Sequence, residues 1–225
     1  CQYFFELSKQ ARDGMQGPQQ REWLDRLELE HDNLRAAIAL PQSPDSDVDP
    51  FIALKMAVAL QNFWIMRGGI GEGRAVVRTM LAHPAVVTSA LARAHGLYVG
   101  AALAETQGDL DQALAMLQEC LALRRGFGVP TDLAGTLSTL GLTCLNSGDL
   151  ERARAHIAEA LELFQRCGHR VGEAITHLQL GQVEAQRGQS DAARVHLVDA
   201  LAIAKQIKHA ETEGYDYVLA KTGTS

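Results

Sequence analysis

The sequence predicts an all-α solenoid, on three observations. Ala, Leu, Gln, Glu and Arg are abundant while aromatic residues make up 5%, a mixture rich in helix formers and poor in β-branched material. A block recurs every 40 residues without insertion: "MRGGIGEGRAVV" from Met66, "TQGDLDQALAML" from Thr106, "NSGDLERARAHI" from Asn146 and "QRGQSDAARVHL" from Gln186. Within a block the apolar residues fall at helical spacing, as in Leu133, Leu137, Leu140 and Cys144, then Leu150, Ala153, Ile157, Ala160 and Phe164.

Residues 1–42 read as a helical junction segment of two helices broken at "GMQGP". In its second helix, "LEHDNLRAAI" sets His31, Asp32 and Asn33 side by side. Residues one and two apart on a helix point in different directions, so the three cannot converge on one ion. The register instead groups His31 with Leu24, Leu27, Leu34 and Ile38, which predicts a docking face against the first repeat with one hydrogen bond to the imidazole.

Residues 43–50 read as a linker. Asp45, Asp47 and Asp49 alternate as in a calcium loop, but Pro50 stands where that loop needs glycine and Met56 where it needs glutamate.

From residue 51 the repeats are placed at 51–90, 91–130, 131–170 and 171–210, with a capping helix at 211–221. Each is two helices joined by a tight turn. In "SGD", Gly148 can take the left-handed conformation that ends one helix, and Asp149 can cap the next. Asp109 repeats that chemistry after Gly108. Between repeats Gly128 and Gly168 mark helix ends, and Pro130 bars continuation.

Small residues at Gly141, Ala153 and Ala160, spaced 12 and 7 apart, let helices approach closely. The pattern recurs at Gly181, Ala193 and Ala200, and partly at Ala101, Ala113 and Cys120. This spacing resembles the tetratricopeptide repeat, which implies a right-handed α-α superhelix. The period exceeds that family's usual length of about 34 residues. A HEAT-type reading fits the period but lacks the proline of its first helix.

The segments "YFFELSKQA", "WLDRLELEHDNLRAAI" and "FWIMRGGIGEGRAVV", followed by repeats with "GD" turns, look like the C-terminal half of bacterial STAND-type signal-transduction ATPases. That family's "E-H-D-N-L-R-A-A" is matched by Glu30 to Ala37, and its "W…RG…EGR" by Trp64, Arg67, Gly68, Glu72, Gly73 and Arg74. Gly69 and Gly71 depart from it by enriching the turn in glycine. The resemblance implies a sensing and interaction arm controlling an NTPase domain upstream in cis. The chain opens on "CQYFFEL" without methionine, which reads as a piece of something longer. A free-standing scaffold or adaptor, and the regulatory tail of a cyclase or kinase, are the alternatives.

Several chemistries are disfavoured. The net charge of -6, with 16 arginines scattered from Arg12 to Arg194, offers no basic face for nucleic acid. No apolar run reaches the roughly 18 residues that span a bilayer, no signal peptide opens the chain, and Cys1, Cys120, Cys144 and Cys167 have neither CxxC spacing nor zinc-finger histidines. A cytoplasmic protein with reduced thiols is expected. "GGIGEG" at 68–73 follows a helix where a nucleotide loop would follow a strand, and no GxxxxGK[ST] loop occurs. No catalytic triad or paired carboxylates can be assembled, so no enzyme activity, cofactor or metal is expected here. His156 and His196 stand one repeat apart as structural residues. His177 and Glu184, at positions held by Leu137 and Cys144 one repeat earlier, suggest a polar bridge.

The tetratricopeptide resemblance also implies which positions of each first helix line the concave groove. They are Lys55, Val58, Asn62 and Met66; His95, Tyr98, Ala102 and Glu105; Ser138, Leu142, Leu145 and Asn146; and Leu178, Gln182 and Gln186. Only Lys55 and Asn62 could grip a peptide carboxylate, which disfavours chaperone tails. Aliphatic and uncharged polar groups suit a protein or peptide segment, or a small effector.

Overall fold

The computed structural model describes residues 1–42, 48–127 and 129–222, and every regular element among them is helical. The helices are α1 (Gln2–Gly14), α2 (Gln20–Leu29), α3 (His31–Ala39), α4 (Pro50–Arg67), α5 (Ile70–Ala82), the short α6 (Pro84–Val87), α7 (Ala90–Thr106), α8 (Leu110–Phe127), α9 (Pro130–Asn146), α10 (Leu150–Arg166), α11 (Arg170–Gln186) and α12 (Ser190–Thr222). The chain divides into two compact units, Cys1–Phe127 and Gly128–Ser225.

In the first unit α4 and α5 form one pair and α7 and α8 the next, while α1 and α3 pack on α4. Its core runs from Leu7 and Ala11 through Leu27, Leu34 and Ile38 to Leu60, Phe63, Trp64 and Leu103. In the second unit α9 pairs with α10 and α11 with α12, and α10 packs on α11.

The turns follow from local chemistry. Gly148 has φ +85°, a conformation that glycine enters without a Cβ penalty. Its N–H donates to the Leu145 carbonyl at 3.0 Å and that of Asp149 to the Cys144 carbonyl at 2.9 Å, the paired bonds of a Schellman ending. The Asp149 carboxylate then accepts from the Arg152 N–H at 3.1 Å, capping α10, and Asp109 does the same for Gln112 at 3.3 Å. The predicted turn chemistry is therefore present at both sites. At the start of α11 the cap is His169, whose Nδ1 accepts from the Gly172 N–H at 3.0 Å.

The small residues predicted to bring helices together do so in the α9/α10 pair. Ala153 and Ala160 are fully buried. A Cβ added at Gly141 would lie 2.4 Å from Ile157 Cγ1 and 3.1 Å from the Ala153 carbonyl oxygen.

Two expectations are corrected, and one element is new. The second of the two helices predicted in residues 1–42 is interrupted at Glu30, whose φ of -95° and ψ of 9° separate α2 from α3. No glycine or proline marks the break, and the change of direction lets both pieces face one core. The short α6, opened by Pro84, was not foreseen. The capping helix expected at 211–221 is not a separate element, because α12 continues unbroken from Ser190 to Thr222. Of the remaining predictions, Asp49 accepts from the Phe51 N–H at 2.9 Å and caps α4, while Asp45, Asp47 and Gly128 lie outside the described residues.

Candidate functional site

Three of the predicted groove positions, Lys55, Val58 and His95, converge on one cleft. It lies between the N-terminal halves of α4 and α7, holds about 340 Å³, and is also lined by Phe51, Leu54 and Leu91. The walls are mostly aliphatic. Lys55 is exposed and its ammonium stands 6.0 Å from the centre of the Phe5 ring, so a single cation marks the rim. Ser89 accepts from the Ala92 N–H at 3.3 Å and so starts α7 beside the cleft. Leu91 remains 50% exposed. Such a cleft suits an apolar side chain or short apolar segment with an acceptor group near the cation. Phe51 and Leu91 escaped sequence reasoning because they precede the helix positions taken as inward. Their available signal is a bulky apolar residue in a helix's first turn.

The other predicted positions differ in exposure. On α4, Asn62 is half-buried and Met66 exposed; on α7, Tyr98 and Glu105 are half-buried, and the Arg124 guanidinium stacks 5.0 Å from the Tyr98 ring. In the second unit Leu142 is half-buried, while Asn146, Leu178, Gln182 and Gln186 are exposed. Ser138 departs from expectation. It is 7% exposed and its hydroxyl donates to Gln179 Oε1 at 2.8 Å, tying α9 to α11. A buried hydroxyl with a partner is structural, so Ser138 belongs to the core.

The "W…RG…EGR" residues form a set of cross-links. Trp64 is 1% exposed, and Gly69 and Gly73 lie close against its indole. Arg67 reaches back to Asp25 and, at 3.3 Å, to Glu28 on α2. Glu72 pairs with His31 Nε2 at 2.9 Å and Arg35 at 3.6 Å on α3. Arg74 reaches forward to Asp109 at 2.7 Å and to Gln107 and Gln112 at the next turn. That guanidinium holds the Asp109 carboxyl below its ordinary range. The motif thus fastens the junction helices to the first repeat and the first repeat to the second. His31 occupies the docking face predicted for it, with its ring 6.0 Å from that of Phe63 and Asp32 pointing outward.

A second cleft of about 470 Å³ opens over this junction, lined by Asp32, Arg35, Glu72, Val76 and Thr79. Because Arg35 is well exposed, Glu72→Gln is expected to cost only about 1 kcal/mol or less. The checkable consequence is faster amide hydrogen exchange in α3 with that of α7 unchanged. Unaltered exchange in α3 would show that the Glu72 pairs do not hold the helix.

The remaining candidates resolve individually. The "GGIGEG" run is the turn between α4 and α5 at Gly68 and Gly69 followed by the first turn of α5, with Gly68 left-handed at φ +78° and Gly73 against Trp64. Cys120 and Cys144 are buried, Cys1 half-buried and Cys167 exposed, all as free thiols; burial pushes the Cys144 thiol up. His177 and Glu184 take different partners. Glu184 lies between Arg154 at 2.7 Å and Arg187 at 3.4 Å, whereas His177 faces His196. Burial first, and then the neighbouring His177, hold the His196 imidazole below its ordinary value.

Residues 132–206 and 94–119 match tetratricopeptide repeat families. The tetratricopeptide likeness is thus carried by these two segments of the chain. Repeats of this kind stack helix pairs into extended binding surfaces. Comparison with curated protein sequences gives no match. Among solved structures, the kinesin-light-chain TPR-like repeats of Podosopora anserina superpose with a TM-score of 0.69 at 14% identity, covering 91% of this chain and 95% of that one. BtubC from P. vanneervenii gives 0.65 at 19%, covering 84% and 75%. A Signal Transduction ATPase with Numerous Domains from Pyrococcus horikoshii, with a tetratricopeptide repeat sensor, gives 0.66 at 17%, covering 82% of this chain and 29% of that protein. Identities this low establish the shared fold alone. No helix among the described residues is long and apolar enough to cross a membrane.

Proposed function

We propose that this chain is a non-catalytic sensing and protein-interaction arm that works in the cytoplasm as part of a larger bacterial signalling ATPase or transcriptional regulator. The observation that carries the reading is the apolar cleft at the N-terminal ends of α4 and α7, where Lys55, Val58 and His95 from two successive repeats meet. It binds a peptide or protein segment, or a small effector, through apolar contact and one charged or polar anchor. Support for the regulatory half comes from the cross-linked junction, in which Arg67 and Glu72 attach α2 and α3 to the first repeat. The junction carries binding in the repeats toward an NTPase domain in cis. The fold shared with the repeat sensor of the Pyrococcus protein agrees with this architecture.

A displayed random-peptide library selected on the purified chain is expected to yield apolar-rich sequences. Leu91→Glu, at a half-exposed position that the fold tolerates, should weaken their binding by at least about tenfold, the loss of a contact worth about 1.4 kcal/mol. Peptides that bind Leu91→Glu as tightly as the wild type would remove the cleft from the proposal. A gene without an NTPase module upstream of Cys1 would remove the regulatory half.

A further inference from the structure

The second unit holds an arrangement that the repeat pattern does not require. His177 on α11 and His196 on α12 turn their Nδ1 atoms toward each other at 3.2 Å, with ring centroids 5.4 Å apart and planes inclined by 46°. Asp199 Oδ2 lies 3.9 Å from the same His177 nitrogen. One ligand atom from each of the three residues lies within 4.8 Å of the other two. His196 and Asp199 are three apart on one helix and so share its face, and His177 meets them from the facing helix.

We propose that His177, His196 and Asp199 bind a divalent transition-metal ion between α11 and α12. The separations suit that use. Zinc–nitrogen bonds of about 2.0–2.1 Å at a tetrahedral angle place two imidazole nitrogens about 3.3 Å apart, close to the 3.2 Å between these Nδ1 atoms. At that distance both nitrogens cannot carry protons, so at least one lone pair already points into the gap. The Asp199 side chain is 49% exposed and has room to swing inward. Two imidazoles and one carboxylate favour zinc, nickel, cobalt or copper over calcium or magnesium, which take oxygen ligands. Three protein ligands leave a coordination position for water or for a group from a binding partner.

The preceding repeat supplies an internal control. Forty residues earlier the same three positions hold Leu137, His156 and Glu159. A histidine and a carboxylate are present there too, but Leu137 is fully buried core. The exchange of leucine for His177 is what completes the donor set in the last repeat. Sequence reading missed it by pairing His177 with Glu184 along one helix, when its partners stand across the helix pair. The expectation that the chain holds no metal is replaced by this proposal.

Tag-free protein, stripped by chelator and dialysed, is titrated with zinc by calorimetry and with cobalt by visible absorption. The expected result is a single high-affinity site, a cobalt spectrum of tetrahedral intensity without thiolate charge-transfer bands, and a melting temperature raised by zinc. The decisive variant is His177→Leu, which restores the residue of the preceding repeat. It should fold at least as stably as the wild type while losing more than the roughly 10–100-fold in affinity that removal of an outer-shell partner costs. His196→Gln should lose the site as well. Equal zinc affinity in His177→Leu and wild type, absence of binding to the stripped wild type, or thiolate bands in the cobalt spectrum would each overturn the assignment.

Discussion

Trp64→Ala is expected to destabilise the first unit by about 3–5 kcal/mol, the range for removing a large aromatic side chain from a packed interior. Trp64 is 1% exposed and is the largest side chain in its cluster, beside Leu60, Phe63, Val77 and Leu103. Its setting leaves little room to collapse into the void. A Cβ built on Gly73 would stand 2.7 Å from Trp64 Cε3 and 3.0 Å from Leu103 Cδ1, so the indole occupies the space that glycine leaves between α4, α5 and α7. The backbone around it is tied by the turn at Gly68 and by Arg67 and Glu72, which cross to α2 and α3. Urea unfolding followed by circular dichroism should show a midpoint shift of that size, with the signal of the second unit unmoved. A shift equivalent to less than about 1 kcal/mol would mean that the indole is not the keystone of the repeat. Bound peptide would then have to be sought elsewhere than in a cleft that depends on α4 and α7 keeping their spacing.

Ala153→Leu comes next, with an expected loss of about 1–3 kcal/mol in the second unit from overpacking. Ala153 is fully buried on α10, and its carbonyl lies 3.1 Å from where a Cβ on Gly141 of α9 would stand. Added methylenes there must push α9 from α10 or leave their rotamers. Ala185→Leu serves as the control, because Ala185 is exposed on α11 and its substitution should fall within about ±0.5 kcal/mol. Equal melting temperatures for the two variants would contradict the assignment of Ala153 to the closest approach of the helix pair.

The turn at residues 147–149 was legible because every group it needs is within a few residues. Gly148 supplies the left-handed step, Asp149 supplies the cap, and neither depends on the rest of the chain. The face on which His31 docks was legible for the same reason, since helical spacing alone groups it with Leu34 and Ile38. The break at Glu30 was not, because its backbone angles answer to the core that α2 and α3 share and no local breaker marks them. The fate of Ser138 was also hidden. Its position on α9 is compatible with a groove or an interface, and only the placement of Gln179 on α11 makes it the latter.

The candidate sites divide the same way. The tetratricopeptide resemblance singled out Lys55, Val58 and His95, whereas Phe51 and Leu91 joined them only when α4 and α7 were set side by side. His177 and His196 are 19 residues apart and on different helices, so no helical periodicity relates them. By itself the sequence determined the all-helical class, the 40-residue period, the turns and the small residues at close approaches, because these depend on backbone preference and spacing along one chain segment. Only the tertiary structure decided which polar side chains became interhelix bonds, which apolar ones stayed open as a cleft, and which imidazoles came to face each other. Those outcomes depend on distances between segments that are remote in sequence, and a packed helix pair sets such distances to within an ångström.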